Sequence, residues 1–593
     1  MAACPHPECG PRTPGGATVH STEVLRAPLD RTSLIRGGTL PSSFTRRGFL
    51  TSAATSAAAA AAVSTGAAPG KARADTDPDK PNILVIIVDE MRTPVWFPDQ
   101  ATLDAVLPNI ARIRRGSVSF ENHYTAANDC TPARGCLLTG LYAQQTGVMV
   151  VSESTLSPLF PTWGSMLRDH GYDTTYWGKW HLGSYPDRTP GALEAYGFHG
   201  GTYPSPNGAP GQGLQMDPKI VDQFVDWFHN DSGNAPWCTT VSLVNPHDIQ
   251  WWPRWTRRDQ FNADIPRWMN ELPPNFESLE QLSRKPRLQM ALVEVSAVAF
   301  GAAPYGTPEA VQAWIEMRNL YLWAQQQVDI QIGRVLDTLQ SRPDVAANTV
   351  VVFTSDHGDY AGSHGLHGKG GAAYDEALRV PLHIHDPRGH LSPVSGTSVR
   401  DQLTSSVDIT PLLLTIGTGG DEWRRDGRYE HLSGRLDIAA LCRDPAAAGR
   451  PWVAHTTDEA TIEEAAMLFD QNAPGHVAMV RTPDAKFASY SHWVHGRIQI
   501  DPAAGQEFEL YDYSTDGGRL ELDNQASTGN PLRREMESLL DNVIRTEIQQ
   551  PLPPYLRAAQ AEGIGDYISA QTNVLTRAER IGNALLDLVP RPS

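Results

Sequence analysis

The sequence predicts an α/β fold, a large mixed and mostly parallel sheet sandwiched by helices, with a smaller C-terminal α+β domain built on an antiparallel sheet. Three observations predict it. Asn82-Ile83-Leu84-Val85-Ile86-Ile87-Val88 and Thr349-Val350-Val351-Val352-Phe353 are unbroken, largely β-branched runs, as in parallel strands covered on both faces. Between them, Leu320, Ala324, Val328, Val335 and Leu339 recur at helical spacing within Trp314 to Gln340, which predicts a long helix. Beyond about Val477 the texture changes to short apolar runs separated by turns, which fits an antiparallel sheet better than a parallel one.

In chain order, residues 1–74 read as an address label. Thr45-Arg46-Arg47-Gly48-Phe49-Leu50 precedes an Ala-rich stretch from Ala53 to Val63 and then Ala72-Arg73-Ala74, the order of a twin-arginine (Tat) export signal with a small-residue cleavage site. A periplasmic or secreted location is expected. The apolar run is too short to span hydrocarbon, so no membrane anchor is expected. Cys4 and Cys9 lie upstream of the signal and receive no functional weight. Of the chain's 49 basic and 67 acidic residues, 8 and 3 fall in 1–74, so the leader carries +5 and the remainder, 41 against 64, carries −23. So acidic a body is a poor partner for nucleic acid or an anionic membrane, although a local basic pocket for a small anion remains compatible with it.

The first strand ends in Asp89-Glu90, where open α/β sheets place their ligands. Val241-Ser242-Leu243-Val244 is a further core strand running into Asn245-Pro246-His247-Asp248, and the run from Thr349 ends in Ser355-Asp356-His357-Gly358-Asp359. In the smaller domain Val477–Val480, Lys486–Tyr490 and Phe508–Tyr511 are the expected strands, with a helical tail from Leu532 to Ile548. The expected organisation is therefore a signal peptide over 1–74, a large α/β domain over 75–450 and a smaller C-terminal domain over 451–593.

The most specific segment is Cys130-Thr131-Pro132-Ala133-Arg134-Gly135-Cys136-Leu137-Leu138-Thr139-Gly140. Cys-x-Pro-x-Arg followed by an apolar pair and Thr-Gly resembles the signature of the type I sulfatases of the alkaline phosphatase superfamily, in which this Cys becomes formylglycine. Asp89-Glu90, Gly178-Lys179-Trp180-His181-Leu182-Gly183, Asn245-Pro246-His247, Ser355-Asp356-His357-Gly358, Gly368-Lys369, Val407-Asp408-Ile409-Thr410-Pro411 and Glu509-Leu510-Tyr511-Asp512 follow the family's order across most of 81–525.

The resemblance implies an alkaline-phosphatase-like fold and hydrolysis of a small-molecule or carbohydrate sulfate ester. Such chemistry needs a nucleophile facing sulfur, cations on the sulfuryl oxygens and an acid for the leaving alcohol. It assigns the nucleophile to position 130, as a formylglycine hydrate made by a formylglycine-generating enzyme. It assigns Arg134 to holding that hydrate, Lys179 to contacting it and the sulfate, and His181 to deprotonating it. His247 becomes the general acid, with Lys369 on the sulfuryl oxygens. Asp89, Glu90, Asp356, His357 and the position-130 oxygen become metal ligands. Carboxylate oxygens suit Ca²⁺ or Mg²⁺ and the imidazole leaves Mn²⁺ open; the resemblance favours Ca²⁺. Two departures stand out: Glu90 where many relatives have Asp, and His357 where many have Asn.

Lys179 and His181 lie two residues apart, so an extended segment would turn both the same way. Cys136, Cys238 and Cys442 are expected as core thiols, and His364 and His367 as structural neighbours of Lys369. After His247, Trp251-Trp252-Pro253-Arg254-Trp255, Arg257-Arg258 and Trp268 read equally as an aromatic and cationic substrate platform or as a lid packed on its own rings. A phosphodiesterase or phosphonate monoester hydrolase of the same superfamily is the alternative activity; it shares Asp356-His357 but commonly lacks the Lys-Trp-His pattern. A non-catalytic binding protein on this scaffold would have lost some of these side chains, and all are present. Oligomeric state is not legible.

Overall fold

A computed structural model describes residues 80–151, 154–233, 236–257, 262–392, 396–459, 473–526 and 529–587. The expected export signal and Arg258 lie outside the described residues. In chain order the strands are β1 (Asn82–Asp89), β2 (Ser117–Phe120), β3 (His123–Tyr124), β4 (Asp173–Gly178), β5 (His199–Gly200), β6 (Trp237–Pro246), β7 (Thr349–Ser355), β8 (Leu382–His385), β9 (Ser398–Arg400), β10 (Thr404–Ser405), β11 (Val453–Thr457), β12 (His476–Arg481), β13 (Ala485–Ser491) and β14 (Glu507–Asp512).

The large sheet runs β5-β4-β6-β1-β7-β8-β2-β9. Its five strands from β5 through β7 and the β2–β9 pair run parallel to their neighbours, whereas β8 is antiparallel to both β7 and β2, which makes the sheet mixed and mostly parallel. The apolar runs do what their composition requires. In β1, Ile83, Val85 and Ile87 face a core shared with Leu137, Leu138, Leu412 and Leu413, while Leu84, Ile86 and Val88 face a second core with Ile220, Phe224, Val328 and Ile332. Alternate side chains thus bury in opposite directions, and helices cover both faces of the sheet. The long helix runs from Pro308 to Gln340, capped by the Thr307 hydroxyl, which accepts from the Ala310 amide with Pro308 at the first turn.

The second sheet, β11-β12-β13-β14, is antiparallel throughout. Ala478, Val480, Phe487 and Leu510 pack on Met536, Leu540 and Val543 of the helix Pro531–Val543. The opposite face, with Met479 and Tyr490, packs on Leu288 and Tyr124. The expected helical tail is present, α-helical over Pro531–Val543 and π-helical over Ile544–Ile548, and a further helix covers Arg557–Asp587. No helix among the described residues is long and apolar enough to cross a membrane.

The consequence for function lies in the neighbours of β1. Strands β4, β6, β1 and β7 are adjacent and parallel, so their C-terminal ends open on one edge and deliver Lys179, His247, Asp89-Glu90 and Asp356-His357 to it. Gly178 makes the exit from β4 feasible: its φ is +104° and a Cβ there would overlap the Ser242 carbonyl oxygen. Gly178→Ala is expected to lower the guanidinium unfolding midpoint, at a cost of roughly 1–3 kcal/mol or more, whereas Gly427→Ala, which meets no atom within 4 Å at negative φ, leaves it near wild type.

Candidate active site

The site is built around the N-terminus of the helix Cys130–Thr139, which points Cys130 at the ends of those four strands. Arg134, one turn on, is fully buried. Its Nη2 pairs with Asp89 Oδ2 at 3.1 Å and Asp356 Oδ2 at 2.9 Å, and its Nη1 donates to the Lys179 carbonyl at 2.6 Å and to Ser242 Oγ at 2.9 Å. One guanidinium therefore ties the helix to β4, β6, β1 and β7. Asp356 Oδ1 in turn accepts from the Glu90 amide at 3.1 Å and the His357 amide at 2.9 Å, which fixes the turn after β1.

Around Cys130 Sγ, Lys179 Nζ stands at 3.4 Å, His357 Nε2 at 3.3 Å, Asp89 Oδ1 at 3.6 Å and His247 Nδ1 at 3.9 Å. Lys179 Nζ also pairs with Asp89 Oδ2. On the other side Glu90 Oε2 receives Lys369 Nζ at 2.6 Å and His247 Nδ1 at 2.7 Å, and Lys369 donates to Gln250 Oε1 at 2.8 Å. All ten residues singled out by sequence meet here.

The electrostatics follow from burial and these pairings. Burial pushes the Cys130 thiol up, as does Asp89, but Lys179, Lys369 and His357 outweigh them and hold it well below the usual thiol range. Position 130 is thus a focus of positive potential. Burial alone would raise Glu90, yet Lys369 and His247 bring it down to about 2. Burial and the two lysines work against a charged His247, but Asp89 and Glu90 win and keep it protonated. Burial and Lys179 depress His181 to about 4, so it is neutral at ordinary pH. His357 is raised to about 9 despite burial, chiefly by Asp356.

The donor set fits a divalent cation. Asp89, Cys130, Asp356 and His357 are buried, with one ligand atom from each lying within 4.8 Å of all the others, and Asp89, Glu90 and His247 form a second such group. His357 Nδ1 donates to the Gly358 carbonyl at 2.9 Å, which turns Nε2 toward the cluster, the usual outer support of a metal-ligating imidazole.

The coordinates correct one local reading and decide between the two open readings of the segment after His247. His181 adopts φ +58°, so Lys179 and His181 converge through a left-handed turn, braced by Asp187 Oδ1 accepting from the His181 amide at 2.9 Å, and not by strand alternation. Trp252 and Trp255 are buried with Trp314 and Tyr321, leaving Trp251 at the site. Arg254 donates to the Val298 and Ala299 carbonyls and does not line the cavity at Cys130. Cys136, Cys238 and Cys442 are buried free thiols. His364 is structural, paired with Glu277 at 2.8 Å and stacked on Tyr374.

Sequence reasoning missed Gln250 and Asp359. Gln250 lies three residues after His247 on the short helix His247–Trp251, a spacing that returns to the same face. Asp359 faces Glu90, and burial together with that charge pushes its carboxyl well above the usual range.

Residues 81–419 match the sulfatase family. The chain is 29% identical over 365 residues to an uncharacterized sulfatase of Escherichia coli K12, covering 57% of this chain and 68% of that protein. It is 28% identical over 375 residues to the choline-sulfatase of Rhizobium meliloti, covering 57% and 67%. In structure it resembles the phosphonate monoester hydrolase of Agrobacterium radiobacter, with a TM-score of 0.57 at 20% identity over 78% of this chain and 95% of that one, which is a likeness of fold. Fold and site together define a sulfuric ester hydrolase on an alkaline-phosphatase-like scaffold. The chain belongs to the sulfatase family.

Two outcomes test the buried electrostatics. Arg134→Met strands Asp89 and Asp356 without their shared cation and is expected to cost roughly 3–5 kcal/mol in a denaturant melt. Because folding lowers the Glu90 carboxyl to about 2 from an ordinary 4.5, its stabilisation is fully present above pH 4.5 and fades as pH falls through 2. Paired melts should therefore show the Glu90→Gln deficit largest at pH 5 and smaller at pH 3.

Proposed function

We propose that the protein is an exported sulfatase that hydrolyses an organic sulfate monoester to alcohol and sulfate, with position 130 matured to formylglycine and Ca²⁺ held by Asp89, Glu90, Asp356 and His357. The observation that supports this most is the convergence of Lys179, His357, Asp89 and His247 within 3.3–3.9 Å of Cys130 Sγ. A metal there would supply positive charge for the sulfuryl oxygens. As an aldehyde hydrate, position 130 would offer one hydroxyl for attack on sulfur and keep a second to release sulfate, which a thiol cannot do.

The chain's own side chains complete the arrangement. Lys179 and Lys369 both act on position 130, where their charge would neutralise an anionic ester. His247, held protonated, is suited to hand a proton to the leaving oxygen, and His181, held neutral, to take one from the hydrate. Arg134 orients Asp89 and Asp356. Maturation calls for a formylglycine-generating enzyme, and the twin-arginine leader supports Tat export to the periplasm or medium.

The Asp356-His357 pair also favours a second reading, hydrolysis of a phosphodiester or phosphonate monoester. The cationic Lys179 and neighbouring His181 weigh toward sulfate. Turnover of an aryl sulfate, an aryl phosphate diester and a phosphonate monoester should favour sulfate at least about tenfold in kcat/KM, a difference of roughly 1.4 kcal/mol; a preference for phosphorus contradicts the reading. Cys130→Ala and Lys369→Ala are expected to lower kcat/KM on the aryl sulfate by at least about 1000-fold while circular dichroism remains native.

A further inference from the structure

We propose that the alcohol released by this enzyme is apolar and carries no further anionic group, an aryl or bulky alkyl group bearing a single sulfate, and that polysulfated or uronate-bearing sugars are poor substrates. This rests on the sulfatase reading above. A cavity of about 230 Å³ opens over Cys130, with His181, His247 and Lys369 at that end. One wall is a single face of the helix Arg287–Ala299: Leu288, Ala291, Leu292, Val295, Ser296 and Ala299 recur at the spacing of one helical stripe, and only Ser296 is polar.

The helix is held in place at its inner end. Leu288 and Ala291 are buried against Met479 and Tyr490 of the second sheet, whereas Leu292, Val295 and Ala299 are half-buried and open to a ligand. Trp251 and Phe300 close the wall, edge to face at 5.3 Å. The one polar atom of the Trp251 ring is already used, since Nε1 donates to the Gly208 carbonyl at 2.7 Å. What a leaving group meets is ring and hydrocarbon, which favours an aromatic or aliphatic body.

Charge makes the complementary argument. The lining also carries Asp129 and Glu459, fixed by Thr457 Oγ1 donating to Asp129 at 3.0 Å and the Val151 amide donating to Glu459 at 2.7 Å. Among the described lining residues the basic groups are His181, His247 and Lys369, all at the Cys130 end. Arg254, the arginine carried by the aromatic segment, is committed to the Val298 and Ala299 carbonyls. A second sulfate or a carboxylate on the alcohol would lose water against hydrocarbon on the side of the apolar wall, a placement that apolar contact does not offset.

The matured enzyme should be assayed on 2-naphthyl sulfate, a neutral monosulfated N-acetylglucosamine and glucosamine 2-N,6-O-disulfate. The expected order of kcat/KM falls from first to last, with the naphthyl ester ahead of the disulfate by at least about 100-fold. Val295→Lys, which places a cation on the wall, should narrow that ratio at least about tenfold. Either sugar turned over as well as the naphthyl ester overturns the proposal and leaves the sulfatase reading intact. Failure on all three sulfates, with turnover of a phosphonate monoester, overturns the sulfatase reading itself. The wild-type panel decides even if the variant fails to fold.

Discussion

Asp89 and Asp356 end neighbouring strands, fully buried, and the structure around them is organised by the cost of keeping two like charges out of water a few ångströms apart. Strand register makes them neighbours, since Val88 pairs with Ser355 one residue earlier. Arg134 lies between them, joined to both, and Lys179 adds a second cation at Asp89. A buried ion pair of this kind contributes little net stability when complete, but loss of one partner is costly, so its value lies in fixing geometry. Because the guanidinium comes from the helix that carries Cys130, the same contact that relieves the acids also aims position 130 at them.

The field this creates has a definite sign where it matters. At Cys130 the lysines and His357 overcome burial and Asp89, so a negative charge is favoured there in a protein whose body is strongly acidic. The N-terminal end of the helix points the same way. What stabilises a thiolate at that point would equally stabilise an anionic oxygen of a bound ester. Around this centre Glu90 pairs with both Lys369 and His247. Bulk charge and site charge are therefore independent quantities, the first set by the surface and the second by four strand ends and one helix.

Much of this was legible in the sequence because it is local. Unbroken β-branched runs such as Asn82–Val88 can only be covered strands, and acids at their ends mark the ligand edge. The motif around Cys130 carries the family resemblance in one stretch, and the family match spans residues 81–419. What escaped was whatever depends on tertiary contact. β4 and β11 carry too many polar residues to read as core strands, though Asp173–Gly178 is held between β5 and β6. The fate of the tryptophans after His247 was undecidable because Trp251 and Trp252 are adjacent and identical in kind; packing against Trp314 buries one and leaves the other at the cavity. His181 reaches Cys130 through a left-handed turn that no periodicity announces.

Under the proposed function, position 130 works as a matured residue and not as a thiol. Mass spectrometry of the tryptic peptide Gly116–Arg134, taken from enzyme produced with a formylglycine-generating enzyme and active on an aryl sulfate, tests it most directly. The account predicts the mass of the aldehyde or its hydrate at position 130, in a fraction that tracks specific activity across preparations. Fully active enzyme carrying only unmodified Cys130 would contradict it.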